Sequence, residues 1–385
     1  MTKIAFVHGW IMPGGALEVF KDLIYQEYHD HDDNLETKVF TLFSQDNIVQ
    51  VGDHQLPIIT ALPGWLNQLF LFCTKNKFPV LSWIFDYRNL MVFYPSLIKH
   101  LSKKIKKYLS DHDNTGNLDN SKQIVISSFA VAKNITPISG IPTKLYLHSP
   151  MQYIRSHYDE YDKKLHGIKN KIFRFMVPKL RVWDKKFTKF DKIYANSQYT
   201  ANLAKQLYNM KAQIWYPKID DIYYHTPICE QPLPYYVYVG RLVAFVKECD
   251  LIIRLFNKLQ KPLIMIGSGP DEHYLKSIAG DTITFIGWKS AAEMAPIIQK
   301  SKGLINLTKE SFGMNTAEAL LLGVPVFGYN AGATPELVSK ECGILIESKD
   351  NFRTIIEQFK QFDEKQRNRK QIALHIRRKL IQKSV

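Results

Sequence analysis

A chain of 385 residues is too long for one compact core; at about 150 residues per domain it has room for two or three, and two is the expectation. Hydrophobic residues make up 45% and charged residues 23%, which excludes a disordered scaffold. Lys and Arg number 51 against 36 Asp and Glu, and the formal net charge of +15 favours an anionic partner: phosphate, nucleic acid or an acidic lipid leaflet.

Cys73, Cys229, Cys249 and Cys342 form no close pair in sequence, so neither a disulfide framework nor a tetrahedral zinc site is expected, and a reducing compartment fits. Residues 1–8 pass from one lysine into a short apolar run that reads as a first strand and not as a leader peptide. The richest apolar stretches, 69–73 and 78–85, are short and broken by Pro79 and Ser82, well under the roughly 18 residues of a membrane span.

Short β-branched or aliphatic runs bounded by turn residues predict strands at 3–7, 37–42, 123–126, 144–147 and 192–195, with segments of helical period such as 17–28 and 200–208 between them. Strand then helix, repeated, predicts a parallel sheet covered on both faces. Pro217, Pro227, Pro232 and Pro234 fall in a polar stretch that reads as a linker, which sets the domains at 1–215 and 216–364. A second series of strands follows at 235–239, 262–266, 282–286, 303–307, 325–328 and 343–346. Two doubly wound halves bind ligands beyond the carboxyl ends of their strands, so a cleft between them is the expected site. The last stretch carries Ile372, Ile376 and Leu380 at helical spacing; it predicts an amphipathic helix, 365–385, packed back on the first domain.

Glu310-Ser-Phe-Gly-Met-Asn-Thr-Ala-Glu318 sets two carboxylates eight residues apart, with Gly313 between them. Thr308 ends a strand pattern, so Glu310 falls in a strand-to-helix loop and Glu318 in the second turn of the helix. Such a loop presents backbone amides, from about Phe312 to Asn315, beside the positive end of a helix, which suits phosphate. The flanking carboxylates then suit hydroxyls, as on a ribose and a sugar. Alone, the same pattern is that of a capped helix with two solvated glutamates; it does not stand alone.

Upstream, Val239-Gly240-Arg241-Leu242-Val243 ends the first strand of the second half, and Lys247 follows before the next helix. A guanidinium and an ammonium at a strand's carboxyl end neutralise a diphosphate leaving group, the work of a glycosyl or phosphoryl transfer; a surface salt bridge is their plainer use. Ile266-Gly-Ser-Gly-Pro270 lacks the third glycine of a dinucleotide fingerprint and reads as a turn. At the other end, His8-Gly9 closes the first strand and Pro13-Gly14-Gly15-Ala16 opens the first helix, where glycines let a ligand approach the backbone or make a tight turn. His148 ends the strand at 144–147, at the ligand-binding edge; a hydrogen-bonded structural histidine is its other use.

Together these residues resemble the retaining GT-B glycosyltransferases of family 4. The resemblance rests on the N-terminal glycine pair, Gly240-Arg-Leu-Val243 with Lys247, the Gly-Ser-Gly-Pro turn, and the glutamate pair followed by Ala319-Leu-Leu-Leu-Gly-Val-Pro-Val326. The N-terminal half is similar to the mannosyltransferase branch that builds O-antigen and exopolysaccharide repeats. That likeness lies in Val7-His-Gly-Trp10, Val125-Ile-Ser-Ser128 with Ala130-Val-Ala-Lys133, Leu147-His-Ser-Pro-Met-Gln-Tyr153, Leu180-Arg-Val-Trp-Asp184 and Ala195-Asn-Ser197.

The resemblance implies two Rossmann-like α/β domains facing a central cleft, with GDP-mannose as donor. It makes Arg241 and Lys247 the diphosphate ligands, Glu318 the partner of the nucleotide ribose, and Glu310 the holder of the donor sugar's hydroxyls, with the amides of Phe312, Gly313 and Met314 nearby. Gly15 then lies against the diphosphate from the first domain, His148 faces the reacting centre, and Trp288, after Gly287, stands in the loop that holds the base. Five residues separate Arg241 from Lys247 where that family commonly has four, and Glu248 stands where it commonly has glycine. The implied acceptor is a polyprenyl-diphosphate-linked or oligosaccharide chain, and the implied place is the cytoplasm, peripheral to the inner face of the cytoplasmic membrane.

By the same resemblance the acceptor hydroxyl attacks on the face that the diphosphate leaves, retaining anomeric configuration. Arg241, Lys247 and a helix terminus are expected to stabilise the leaving diphosphate without a metal. Asp30-His-Asp32 and Asp111-His-Asp113 have the Asp-x-Asp form that metal-dependent transferases use, but both lie in polar stretches and read as loops, so no metal or other cofactor is expected.

Residues 95–108 carry five lysines and no acid, with Leu97, Ile98, Leu101 and Ile105 on one helical face, and 163–192 carry eleven Lys or Arg against two Asp. Both read as membrane-surface elements, to which Trp65, Leu66, Leu69, Phe70 and Phe72 add an apolar contact; packing against the domain's own core is the alternative for each. The competing class is a nucleic-acid-binding protein, which no recognition module supports, so no nucleic-acid partner is expected. Nearer alternatives are the same fold with a UDP-sugar donor, or a nucleotide-sugar epimerase.

Overall fold

The computed structural model describes residues 2–12, 14–31, 35–44, 46–75, 89–110 and 121–382. They form two compact units, one of Met1–Asn196 with Thr200–Ile214, the other of Ser197–Tyr199 with Trp215–Val385. Among the described residues no helix is long and apolar enough to cross a membrane.

The first unit runs β1 (Thr2–Ile11), α1 (Gly15–Asp30), β2 (Leu35–Ser44), β3 (Ile48–Val51), β4 (His54–Thr60), α2 (Gly64–Lys75), α3 (Tyr94–Ser110), β5 (Lys122–Ser128), β6 (Thr143–Leu147), α4 (Tyr158–Lys164), α5 (Gly167–Asp184), β7 (Lys192–Ala195), α6 (Gln198–Tyr208) and β8 (Gln213–Ile214). The sheet order is β3-β4-β2-β1-β5-β6-β7-β8, parallel except for the β3–β4 hairpin. Without the edge strands this is the 3-2-1-4-5-6 winding of a Rossmann sheet. The alternation of β1 explains its two faces: Ile4 and Phe6 pack with Phe20 and Ile24 of α1, while Ala5 and Val7 share a core with Ile98, Leu101 and Ile105 of α3.

That second core corrects one sequence expectation. The apolar face of 95–108 is buried in its own unit, because α3 covers the sheet, so the face that this helix leaves outward is polar and mostly lysine. The side chains of Phe70 and Phe72 and the segments 78–85 and 111–113, with Asp32, lie outside the described residues.

The second unit contains α7 (Asp221–His225), β9 (Tyr236–Val239), α8 (Cys249–Leu259), β10 (Leu263–Ile266), α9 (Glu272–Ile278), β11 (Ile283–Gly287), α10 (Ala291–Lys300), β12 (Gly303–Asn306), α11 (Met314–Leu321), β13 (Val326–Tyr329), α12 (Thr334–Leu337), β14 (Gly343–Ile346), α13 (Phe352–Glu364) and α14 (Arg369–Ile381). Its sheet, β11-β10-β9-β12-β13-β14, is parallel throughout and repeats the same winding. Tyr236, Phe256, Phe327 and Phe359 fill one side of it with mostly edge-to-face rings.

Two further expectations change here. The proline-bearing stretch after residue 215 is not a free linker: Tyr216, Ile219 and Tyr223 are buried, and Leu233 donates its backbone N–H to Lys300 O at 2.8 Å. The terminal helix groups with the second unit and not with the first. Ile372, Ile376 and Leu380 of α14 are buried, and the helix lies against α11. Arg369 holds it there, donating to Gly323 O at 3.1 Å, Ser301 O at 3.1 Å and Gln299 O at 2.7 Å. One guanidinium thus satisfies carbonyls left over at the ends of α10 and α11, where cations are electrostatically favoured.

Candidate active site

In a sheet wound 3-2-1-4-5-6 the winding reverses between strands 1 and 4, here β9 and β12, and loops leaving their carboxyl ends diverge to leave a crevice. The loop after β9 carries Arg241 and Lys247, and the loop after β12 carries Glu310. The structure brings two of these together: Lys247 Nζ lies 2.7 Å from Glu310 Oε1, both part-exposed. Arg241 is exposed on the same loop, and among the described residues its guanidinium has no hydrogen-bond or ion-pair partner.

Both loops are held from behind. Thr308 Oγ1 donates to Lys247 O at 3.2 Å, and Asn315 Nδ2 of α11 donates to Val239 O at 2.6 Å. Gly267 and Gly269 explain the Gly-Ser-Gly-Pro turn. A Cβ on Gly267 would lie 1.9 Å from Gly240 O, and one on Gly269 2.1 Å from Leu242 O, so only glycine lets this turn buttress the arginine loop. Ala333 N donates to Glu310 O at 2.9 Å, Ser197 Oγ donates to Ser311 O at 2.5 Å, and the buried Phe312 ring packs 5.1 Å from that of Tyr216. Gly313, at φ 94, then turns the chain into α11, whose first-turn amides from Met314 on have no intrahelical acceptor.

Glu318 lies in the second turn of α11 and is buried; its Oε2 and the hydroxyl of Tyr223 make no well-formed hydrogen bond among the described residues, although the two groups are near enough for each to shift the other's proton affinity. Burial, with the negative field of Asp220, lifts the Glu318 carboxyl from 4.5 to about 7. A buried, unsatisfied carboxyl is costly unless a polar group completes it, and a vicinal diol is such a group. Trp288 follows β11 and is 69% exposed, a flat apolar face at the same sheet edge.

The Glu318 shift has a measurable consequence. Its folded pKa lies above the ordinary one, so the stability it contributes is fully present below pH 4.5 and is lost as pH rises through 7. The loss is about 3 kcal/mol for a wholly buried group. The advantage of Glu318→Gln over wild type, read by denaturant unfolding without ligand, is expected to grow between pH 5 and pH 8; an equal advantage at both pH values would contradict it.

In the first unit the carboxyl ends of β1, β5 and β6 carry a buried cluster absent from the sequence reading. Ser127 Oγ lies 3.0 Å from His8 Nδ1 and 2.8 Å from His148 Nε2. His8 stacks on Phe20 at 4.6 Å, and His148 N donates to Ser128 O at 2.8 Å. Burial lowers His148 to about 3, and burial with the neighbouring His148 also holds His8 well below its ordinary value. Both rings are therefore neutral at pH 7, and His148 can act there as a hydrogen-bonding group but not as a cation. Gly15 opens α1 at the same sheet edge and is exposed.

Residues 234–362 match the family model Glycosyl transferases group 1. The match spans β9 to α13 and so contains Arg241, Lys247, Trp288, Glu310 and Glu318. No curated protein matches the chain. Among solved structures, the chain is similar to WaaG, a glycosyltransferase involved in lipopolysaccharide biosynthesis, at 11% identity and a TM-score of 0.61, covering 98% of this chain and 94% of that one. It is similar to the sucrose-phosphate synthase of Thermosynechococcus elongatus at 14% identity and a TM-score of 0.64, covering 100% and 95%. HepE of Anabaena, solved with UDP and glucose, matches at 16% identity and a TM-score of 0.54, covering 99% and 100%. The fold is GT-B: two Rossmann-like units, the second carrying the match to the group 1 model.

Ser127, Asp220 and Tyr223 escaped the sequence reading. Ser127 was quoted only as part of a strand-end motif; a polar pair closing an apolar strand is the signal that marks it. Asp220 and Tyr223 fall in the proline-bearing stretch that reads as a linker. Glu248 adopts φ 54 and ψ 26, the left-handed region, at the start of α8. That conformation costs a non-glycine residue about 1–2 kcal/mol, and its trace in the sequence is that Glu248 stands where the resembled family commonly has glycine.

Proposed function

We propose that the protein is a retaining glycosyltransferase that moves a hexose, with mannose from GDP-mannose as the first candidate, onto a lipid-linked or saccharide acceptor in cell-surface polysaccharide synthesis. The observation that carries this reading is the Lys247–Glu310 pair at 2.7 Å, on loops that leave β9 and β12 where the sheet winding reverses, with Arg241 on the same loop as the lysine. In this reading Arg241 and Lys247 take the diphosphate oxygens, and the first-turn amides of α11 add to them. Glu310, released from Lys247 as the phosphate engages that ammonium, accepts hydroxyl protons of the donor sugar. Glu318 completes its empty acceptor with the ribose diol, and the base stacks on Trp288. Neutral His148 donates or accepts a hydrogen bond at the sugar as the glycosidic oxygen leaves with the diphosphate, while the acceptor oxygen forms the new bond on the same face and gives its proton to the departing phosphate oxygen.

A UDP-sugar donor is the second reading, prompted by the likeness to HepE, solved with UDP and glucose. Calorimetric titration in EDTA with GDP-mannose, UDP-glucose, UDP-N-acetylglucosamine and GDP separates the two. Binding of GDP-mannose above the others is expected. Preference for a UDP-sugar discards the mannosyl assignment, and absence of binding by any of them overturns the reading.

Membrane contact belongs to the same proposal, and of the two basic segments α5 supports it better than α3. Phe173, Val177 and Leu180 of α5 are buried, while Ile172, Phe175 and Val182 stand out at 49, 64 and 75% exposure. Lys179 Nζ sits 3.8 Å from the Phe175 ring centroid, within a segment rich in further lysines. Exposed apolar side chains ringed by cations suit an anionic bilayer. The protein is expected to sediment with phosphatidylglycerol-containing vesicles and not with phosphatidylcholine alone. Phe175→Asp with Val182→Asp is expected to abolish this, and undiminished sedimentation would remove α5 from the contact.

A further inference from the structure

We propose that Lys349 is a positioning residue for the diphosphate site, acting through Glu248 on Lys247; the proposal rests on the function proposed above. Glu248 is the residue after Lys247 and the one before α8, and its left-handed backbone decides how the chain leaves the lysine loop and enters the helix. Its carboxylate accepts a hydrogen bond from Lys349 Nζ, and the two side chains are only part-exposed. Lys349 follows β14, and its ammonium lies 4.7 Å from the centroid of Tyr329, at the end of β13. The cation is thus anchored on the neighbouring strand ends before it reaches Glu248, and it is not a loose surface lysine. On the other side, Lys247 is tied at its carbonyl by Thr308 and at its ammonium by Glu310.

The tether answers a specific need. A glutamate at φ 54 relaxes to φ < 0 when nothing opposes it, and that rotation swings the peptide joining it to Lys247. Glycine needs no such restraint, because it holds this conformation without a Cβ clash. Lys349 and Glu248 together therefore do what a glycine alone does at this position, and either arrangement sets Lys247 Nζ against Glu310.

The logic predicts a rescue. Lys349→Met is expected to weaken nucleotide-sugar binding about tenfold and to raise the reactivity of Lys247 toward an amine-acetylating reagent several-fold, read by mass spectrometry of the unliganded protein. Glu248→Gly added to Lys349→Met is expected to return both values to within about twofold of wild type, and Lys349→Arg to hold them there. Calorimetric melting of every variant checks that the second unit is folded. Unchanged Lys247 reactivity in Lys349→Met overturns the proposal. So does a double variant as impaired as Lys349→Met, since Lys349 would then act on the ligand directly. Wild type that binds no nucleotide sugar sinks the functional reading, while the acetylation arm, which needs no ligand, still decides whether Lys349 positions Lys247.

Discussion

Arg241→Ala and Lys247→Ala are each expected to lower kcat by about a hundred- to a thousandfold, the usual loss when one preorganised charge is removed from a developing anion. The leaving diphosphate gains charge as the glycosidic bond breaks, so a cation fixed beside it stabilises the transition state more than the ground state, and the fall appears in kcat more than in KM. Arg241 is exposed and Lys247 part-exposed, so neither truncation opens a cavity, and melting temperatures are expected to stay within a few degrees of wild type. Lys247→Ala also frees Glu310 of its ion pair, so its loss mixes a missing cation with a less ordered carboxylate. Steady-state kinetics with donor and acceptor varied separately provides the check. Full activity in both variants removes these residues from the chemistry.

The second large effect is on stability. Lys133 and Asp184 are both fully buried in the first unit, with Lys133 Nζ 3.2 Å from Asp184 Oδ1, 3.0 Å from Asn134 Oδ1 and 4.2 Å from the Tyr208 ring centroid. Tyr208 donates its hydroxyl to Asp184 Oδ2 at 2.5 Å, and Arg155 approaches the same oxygen at 3.5 Å. Burial lowers the Lys133 pKa, and Asp184 opposes that shift. Asp184→Ala removes the carboxylate that neutralises the cluster and leaves an ammonium in the core, a loss of about 3–5 kcal/mol. Lys133→Met with Asp184→Leu, which removes both charges and keeps the volume, is expected to recover much of it. Denaturant unfolding of the three proteins decides. Equal loss in the single and double variants would mean that packing, and not the stranded charge, sets the cost.

The regular parts of the fold were legible because their signals are local. Central strands such as β1 and β12 are buried on both faces, so they read as unbroken apolar runs. The β3–β4 hairpin was overlooked although Gly52 and Asp53 join its two alternating strands, since a short edge pair is half polar by nature. Prolines between residues 217 and 234 suggested a linker, but Tyr216, Ile219 and Tyr223 are large enough to anchor the stretch, and a proline count carries no information about what lies beneath it.

Site residues divide in the same way. Arg241, Lys247 and Glu310 could be named from spacing, because strand ends and helix starts fix where they stand. Ser127 and Lys349 could not: each matters through a partner far along the chain, which leaves no periodic trace, while Glu248 showed as a departure from glycine without its backbone angle or its partner. The terminal helix was recognised as amphipathic but assigned to the wrong surface. Its stripe of Ile372, Ile376 and Leu380 says that something must cover it, not what does.

That helix also has a consequence for how the chain matures. Because α14 seals the outer side of α11 and Arg369 ties off the ends of α10 and α11, the second unit cannot close until about residue 381 has left the ribosome. Until then the back of the helix bearing Glu318 stays uncovered, an apolar surface open to chaperones and proteases while the earlier unit can already be folded. Shortening the basic tail as though it were a dispensable extension would make that passing vulnerability permanent.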